Sequence, residues 1–120
     1  IAFLDADDLW EKEKLELQLP LFKNKNVGLV YSNATWINEN NSVLGHGWLK
    51  GYLKPRSGKV TKYLIYDNFI YFSSAVVKRE CIEDKGCFNE SQHMSIDWEL
   101  WLRLSSKYDF DFVDRHLKKD

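Results

Sequence analysis

Three carboxylates follow an apolar run near the start of the chain. The apolar residues 1–4 are succeeded by Asp5, Asp7 and Asp8. Residues two apart in an extended backbone share one face, so we expect Asp5 and Asp7 to project together from the tip of a buried strand. Like charges at close range are costly without a cation or a proton. Carboxylate oxygens are preferred ligands of Mg²⁺ and Mn²⁺, often with substrate phosphates completing the shell. The spacing therefore predicts a site for a divalent cation.

A fourth carboxylate, Asp97, stands near the predicted start of a late helix. It can cap the helix, a contribution of about 1 kcal/mol, and Ser95 is a second candidate for the cap. Viewed alone, Asp97 is best explained as a cap.

The first half of the chain must position the opening carboxylates. Residues 11–24 show a helical stripe of Leu15, Leu19 and Phe22, with Asp8 as the expected N-cap and a kink or early end at Pro20. Residues 27–37 are rich in β-branched and aromatic side chains, and residues 43–44 are expected to return as a short partner strand, which predicts a hairpin.

The second half must position Asp97. A glycine-rich loop is expected over residues 45–58, a short helix over 59–66, a buried strand over 68–77 and a helical turn over 78–84. The helix that starts at Ser95 or Asp97 is expected to reach about residue 107. Its buried apolar face would consist of Leu100, Trp101 and Leu104. A last short strand is predicted over residues 110–113. Helices alternate with strands, so the class is α/β.

Composition excludes several functions. The chain has 120 residues, about one domain, with 44% hydrophobic and 15% aromatic residues, which predicts a globular core. A net charge of -1 gives no basic field, so no nucleic-acid partner is expected. We find no stretch of about 18 apolar residues, and so no membrane segment in this chain. Two cysteines are too few for a disulfide framework, which favours reduced thiols in the cytoplasm.

Two other interpretations of the opening motif stay open. One is a phosphatase of the haloacid dehalogenase type, in which Asp5 would be the nucleophile. Its pattern has a small residue and then Thr or Val after the second aspartate, whereas Asp8 and Leu9 stand there. The other is a non-catalytic carbohydrate-binding module that uses exposed aromatic side chains.

Four ordered segments together resemble family 2 glycosyltransferases. Residues 1–10 resemble the Asp-x-Asp segment of that family, and residues 86–91 followed by 95–104 resemble its Gly-Phe-Asp-Glu turn and the Glu-Asp-x-x-Leu-Trp-x-Arg-Leu helix. Residues 27–32 and 68–74 are similar to the intervening strands. Four segments in the expected order are more specific than any one alone. The resemblance implies a partial GT-A fold, with a mixed sheet flanked by helices.

The resemblance also implies a nucleotide-sugar donor and a divalent metal, Mn²⁺ or Mg²⁺. Asp7 would bind the metal directly, and Asp5 would approach the ribose or the metal through water. Asp8 is placed with Asp5 and Asp7 in the donor site. The metal would stabilise the charge on the departing nucleoside diphosphate. Asp97 would be the general base of a single, inverting displacement, although Ile96 stands where the family usually has Glu.

The acceptor side is assigned from the same resemblance. Trp98, Ser73, Ser74 and His93 are the expected acceptor-binding residues, whereas Trp101 is expected in the core. The acceptor would be a carbohydrate or a lipid-linked sugar. His116 is not assigned as a metal ligand.

The chain starts and stops within strand-like runs, at Ile1 and after Lys118. We therefore expect residues 1–120 to be a single fragment, the C-terminal part of a catalytic domain that carries the acceptor and metal sites. It would lack the N-terminal nucleotide-binding units and be inactive alone. The location would be cytoplasmic, with any membrane attachment lying elsewhere in the full-length protein.

Overall fold

The structure, a computed structural model, describes residues 1–47 and 54–119. It contains five strands and four α-helices in these residues, with two short 3₁₀ turns at Leu19–Lys23 and Phe72–Ser74. In chain order the elements are β1 (Leu9–Trp10), α1 (Lys14–Gln18), β2 (Val27–Ile37), β3 (Val43–His46), α2 (Thr61–Leu64), β4 (Val76–Val77), α3 (Arg79–Lys85), α4 (Ile96–Ser105) and β5 (Asp109–Lys119).

Strand β2 is the centre of one mixed sheet. It pairs in parallel with β5, and antiparallel with β3 and β4. Strand β1 pairs antiparallel with the far end of β5, where Leu9 lies opposite Lys119. The first nine residues of β2 are buried; residues 27–31 carry no charged side chain and pack as core, and the polar Ser32, Asn33 and Thr35 are enclosed after them. The predicted α/β class, with a mixed sheet flanked by helices, is confirmed.

The main core lies between the sheet and the helices of the second half of the chain. Leu29, Tyr31 and Phe110 from the sheet pack in one cluster with Leu100 and Trp101 of α4. Trp101 is fully buried, as the stripe of the predicted late helix requires. Helix α4 contacts both α2 and α3, so the core fixes the helix that carries Asp97.

The apolar run at the start of the chain is not a buried strand, contrary to the sequence prediction. The side chains of Ile1 and Leu4 are 42% and 50% exposed. A single antiparallel bridge joins Ala2 to Val76, and the amide of Phe3 donates to the carbonyl of Ala75. The run lies beside β4, where the ring of Phe3 packs against the core while Ile1 and Leu4 stay exposed.

The predicted helix over residues 11–24 is shorter and turned to another face. It ends at Gln18, and a 3₁₀ turn containing Pro20 follows, in agreement with the expected early end. Leu15 is exposed, whereas Lys14 and Gln18 are buried. The side-chain amide nitrogen of Gln18, Nε2, donates to two main-chain carbonyls. Hydrogen bonding rather than the leucine stripe therefore sets the buried face.

The remaining predicted elements differ mainly in their bounds. The hairpin of β2 and β3 and the helices α2, α3 and α4 are confirmed. The predicted strand over 68–77 is reduced to Val76–Val77, and the last strand extends to Lys119. Residues 48–53 of the predicted loop over 45–58 lie outside the described residues. None of the helices in the described ranges has the length and apolarity to cross a membrane.

Candidate active site

The opening carboxylates lie on a tight turn. The amide of Asp8 donates to the carbonyl of Asp5 at 3.1 Å, and Ala6 and Asp7 form the turn between them. The extended backbone that would place Asp5 and Asp7 on one face is therefore wrong. Because the chain reverses here, the two carboxylates border different cavities. We call residues 5–8 the acidic turn.

Asp5 and Asp97 line the same cavity. It has a volume of about 310 Å³, and Phe72 and Ile96 form the rest of its lining. Partial burial raises the pKa of Asp5 above 3.8, and neighbouring carboxylates, Asp97 among them, add to this shift by electrostatic repulsion. Two carboxylates from distant parts of the sequence thus face one space. This is the geometry that a two-part active site needs.

Asp97 is the second residue of α4 and does not cap it. Ser95 occupies the cap position with a left-handed backbone, φ 53°, and makes no side-chain capping bond. The capping interpretation of Asp97 is therefore wrong. The side-chain amide of Asn68 donates to Oδ2 of Asp97 at 3.1 Å. Asn68 was not singled out from the sequence, although it begins the segment 68–74 that resembles a family strand.

Asp7 borders a second cavity of about 410 Å³. Residues 6–9 form one wall of it, and residues 37–39 with Asn41, at the tip of the β2–β3 hairpin, form the other. Asp7 is exposed, so its carboxylate is accessible to an incoming ligand. The β2–β3 hairpin thus contributes to the surroundings of the acidic turn, which its sequence gave no reason to expect.

Asp8 forms a buried ion pair with Lys118. Its Oδ2 lies 2.7 Å from the Lys118 ammonium nitrogen, and both side chains are almost fully enclosed. The expected N-cap role of Asp8 is wrong, because α1 begins at Lys14 with Glu13 at its cap position. The assignment of Asp8 to the donor site stays a prediction.

The sequence profile described as Glycosyltransferase like family 2 matches residues 1–116. The match spans the acidic turn, Asn68, Asp97 and the strands that connect them. The chain belongs to this family.

Several family 2 relatives align with almost the whole chain. It is 29% identical over 124 residues to an uncharacterized glycosyltransferase of Methanocaldococcus jannaschii, covering 99% of this chain and 40% of the relative. It is 28% identical over 120 residues to the hyaluronan synthase of Pasteurella multocida, covering 99% of this chain and 11% of the relative.

A third relative matches a shorter part at higher identity. This is the Escherichia coli UDP-Glc:alpha-D-GlcNAc-diphosphoundecaprenol beta-1,3-glucosyltransferase, 47% identical over 45 residues, which are 38% of this chain and 17% of the relative. The chain thus spans 40% or less of the length of each of these three relatives. All three are glycosyltransferases, and neither the phosphatase nor the non-catalytic module is favoured by them.

Two residues assigned to the acceptor site of this family 2 chain lie inside the protein. Ser73 and Ser74 have no exposed surface. The Ser73 hydroxyl accepts from the amide of Asp5 at 2.9 Å, and the Ser74 hydroxyl donates to the carbonyl of Tyr71. Their contact with an acceptor stays a prediction, and in the structure both hydroxyls form hydrogen bonds within the protein. The Ser73 hydroxyl holds the acidic turn.

The other two acceptor-site residues lie near the start of α4. The indole of Trp98 donates to the carbonyl of Leu64 at 2.6 Å, and its ring borders a cavity with Ile65 that is separate from the one at Asp97. His93 is exposed. Their contact with an acceptor stays a prediction.

A divalent cation at the acidic turn stays a prediction. Within the described ranges, no group of three or more His, Cys, Asp or Glu side chains has the arrangement of a metal site. Asp5 and Asp7 are both accessible but border different cavities, so a cation at Asp7 would depend on substrate phosphates and water, which commonly complete the shell of Mg²⁺ bound to one or two carboxylates. His116 stacks on His46 with ring centres 4.4 Å apart.

Proposed function

We propose that this chain carries the metal-binding and acceptor-side part of an inverting glycosyltransferase catalytic domain. The observation that supports the proposal best is the shared cavity of Asp5 and Asp97. Asp5 belongs to the acidic turn, which would bind the leaving group. Asp97 belongs to α4 and would activate the nucleophile. A single displacement needs both at one space.

The acidic turn would handle the donor. Asp7 would hold Mn²⁺ or Mg²⁺ directly, Asp5 would act through water or on the ribose, and Asp8 would stand beside them. When bound, the cation supplies positive charge that stabilises the departing nucleoside diphosphate. The residues of the turn would bind and orient the cation and the donor. The main-chain amide of Asp5 donates to the Ser73 hydroxyl, which fixes the turn against the core.

Asp97 would handle the acceptor. Its carboxylate takes the proton from an acceptor hydroxyl while the hydroxyl oxygen forms a bond to the anomeric carbon. The bond from that carbon to the diphosphate oxygen breaks on the opposite face, so the configuration inverts. Asn68 holds one carboxylate oxygen, and the N-terminal end of α4 favours negative charge at this position.

The substrates follow from the family and its relatives. We propose a nucleotide-diphosphate sugar as donor and a carbohydrate or lipid-linked sugar as acceptor, with Trp98 and His93 on the acceptor side. One relative is named for a diphosphoundecaprenol-linked acceptor, and two are named chondroitin synthase and hyaluronan synthase. These names support a role in cell-surface polysaccharide synthesis, and we propose that the chain acts on the cytoplasmic side.

The 120 residues would not suffice for transfer. We propose that units outside this chain bind the base and the ribose of the donor, since the chain spans 40% of the length of the archaeal relative. The isolated chain should therefore bind nucleotide weakly and transfer no sugar at a normal rate. Full-rate transfer by the isolated chain would contradict this part of the proposal.

The function is tested by replacing Asp7 in the full-length protein that contains this chain. Asp7→Ala should reduce Mn²⁺ affinity by at least about 100-fold and abolish Mn²⁺-dependent consumption of nucleotide sugars, because an inner ligand contributes more than the outer partners do. Asp114→Ala is the matched control, because Asp114 is an exposed aspartate on β5. A sugar affinity that is unchanged by Mn²⁺ and by Asp7→Ala would point to a non-catalytic module. A phosphoenzyme that forms in the wild type and is lost in Asp5→Asn would point to a phosphatase.

A further inference from the structure

Lys118 is a charged residue enclosed directly beside the acidic turn. Its ammonium nitrogen lies 2.7 Å from Oδ2 of Asp8, and the two side chains are 4% and 2% exposed. It also lies over the ring of Tyr71 at 5.8 Å. A buried pair of this kind is strongly disrupted when one partner is removed, because the other charge is left uncompensated.

The pair is connected to the turn through the main chain. Asp8 closes the turn by donating its amide to the carbonyl of Asp5, so an anchored Asp8 fixes the last residue of the turn. The backbone of Lys118 is itself held opposite Trp10 in the β1–β5 ladder. The indole of Trp10 donates to the carbonyl of Ser73, whose hydroxyl accepts from the amide of Asp5. Both ends of the turn are therefore attached to the protein.

Two physical effects of Lys118 on a cation at this turn oppose each other. Its positive charge repels a divalent cation, so removal of the charge alone would strengthen metal binding. Its hydrogen bond holds Asp8 and hence the turn that presents Asp5 and Asp7, so removal of this support would weaken metal binding. The sign of the change in metal affinity therefore separates the two effects.

We propose that Lys118 is a positioning residue that holds the acidic turn in its metal-binding shape through the buried pair with Asp8. The inference rests on the proposed function for the identity of the ligand, and on the contacts alone for the shape of the turn. Partners of metal ligands commonly contribute a factor of about 10–100 in affinity, and we expect the support that Lys118 gives to the turn to outweigh the repulsion by its charge.

The test compares Lys118→Met and Lys118→Gln with Lys119→Met in the full-length protein. Lys119 is a matched control, because it also pairs with a carboxylate, Glu11 at 2.9 Å, but is partly exposed. Titration with Mn²⁺ alone should show affinity reduced about 10–100-fold in Lys118→Met, less in Lys118→Gln, which keeps a hydrogen-bond donor, and little changed in Lys119→Met. Equal or tighter Mn²⁺ binding in both Lys118 variants would overturn the proposal.

A second measurement uses no metal. Amide hydrogen exchange of Asp8, followed by NMR in the metal-free protein, should be accelerated about tenfold or more in Lys118→Gln and unchanged in Lys119→Met. Unchanged exchange in Lys118→Gln would overturn the positioning role. If the wild-type protein binds no Mn²⁺, the metal assignment of the proposed function fails, and the exchange rates still decide the role of Lys118.

Discussion

At the scale of single residues, the structure separates carboxylates that look alike in the sequence. Asp97 is held by Asn68 and faces a cavity, whereas Asp8 is buried against Lys118. Residue type and spacing were enough to single out both aspartates, and the resemblance to family 2 glycosyltransferases suggested a base at Asp97. They were not enough to assign Asp8, because its partner lies 110 residues away in the sequence.

Lys14 is a second residue whose position the sequence did not predict. Its side chain is 1% exposed and lies over the ring of Trp10 at 4.5 Å, and its ammonium nitrogen has no hydrogen-bond acceptor among the described residues. Burial lowers the pKa of Lys14 from 10.5 to about 8. The folded protein therefore releases this proton at a lower pH than the unfolded chain does.

We expect Lys14→Met to stabilise the protein at pH 7 by roughly 1–3 kcal/mol in the free energy of unfolding, because a buried charge is replaced by an apolar side chain of similar length. Below pH 8 the wild-type protein carries the full cost of the buried charge. Between pH 8 and pH 10.5 the unfolded chain binds more protons, so wild-type stability rises with pH and the advantage of the variant shrinks.

Urea unfolding at pH 7 and pH 10 measures this difference. Lys12→Met is the control, since Lys12 is exposed in the same region. A destabilised Lys14→Met variant, or an advantage that is equal at both pH values, would contradict the assignment of Lys14 as a buried charge with a lowered pKa.

At the scale of elements, periodicity predicted which helices exist better than which faces they bury. Helix α4 follows its predicted stripe, with Leu100, Trp101 and Leu104 buried. Helix α1 does not, because it spans only Lys14–Gln18 and the amide of Gln18 satisfies main-chain carbonyls of the neighbouring segments. In so short a helix, two hydrogen bonds outweigh the burial of one leucine.

Replacement of Gln18 by Leu should therefore destabilise the protein, although it makes the stretch more apolar. The variant removes the donors to the carbonyls of Val30 and Ser74, at 3.2 and 2.8 Å, and the expected cost is about 1–3 kcal/mol. Leu15→Gln is the matched reverse change at an exposed site, and it should alter the free energy of unfolding by less than about 0.5 kcal/mol. Denaturant unfolding that ranked the two variants in the opposite order would restore the leucine stripe as the buried face.

The acidic turn shows a second limit of reasoning at this scale. Alternation in an extended strand predicted that Asp5 and Asp7 share a face, but the amide of Asp8 closes a turn onto Asp5. The sequence around Ala6 contains no glycine or proline to mark that turn. The two ends of the turn are attached to Ser73 and Lys118, which are distant in sequence.

In the whole molecule, β5 pairs with β2 on one side and with β1 on the other, which brings the last strand beside the start of the chain. The far end of β5 returns beside β1 and places Lys118 under the acidic turn, while Asn68 joins the preceding segment to Asp97. The α/β class and the family could be predicted from composition and from four ordered segments. The pairing of the strands could not, because it is decided by contacts between residues that no local pattern connects.

We propose that the acidic turn and Asp97 serve one displacement in two separate roles. The most direct test is sugar transfer by the full-length protein with Asp97→Asn, a change that keeps the size of the side chain and removes its basicity. The turnover rate should be reduced by roughly 10²–10⁴-fold, the usual contribution of a general base, while Mn²⁺-dependent binding of the donor stays within about threefold of wild type. Asp114→Asn, on an exposed part of β5, should leave both quantities unchanged. A turnover rate of Asp97→Asn within about tenfold of wild type, or loss of donor binding together with transfer, would contradict the account.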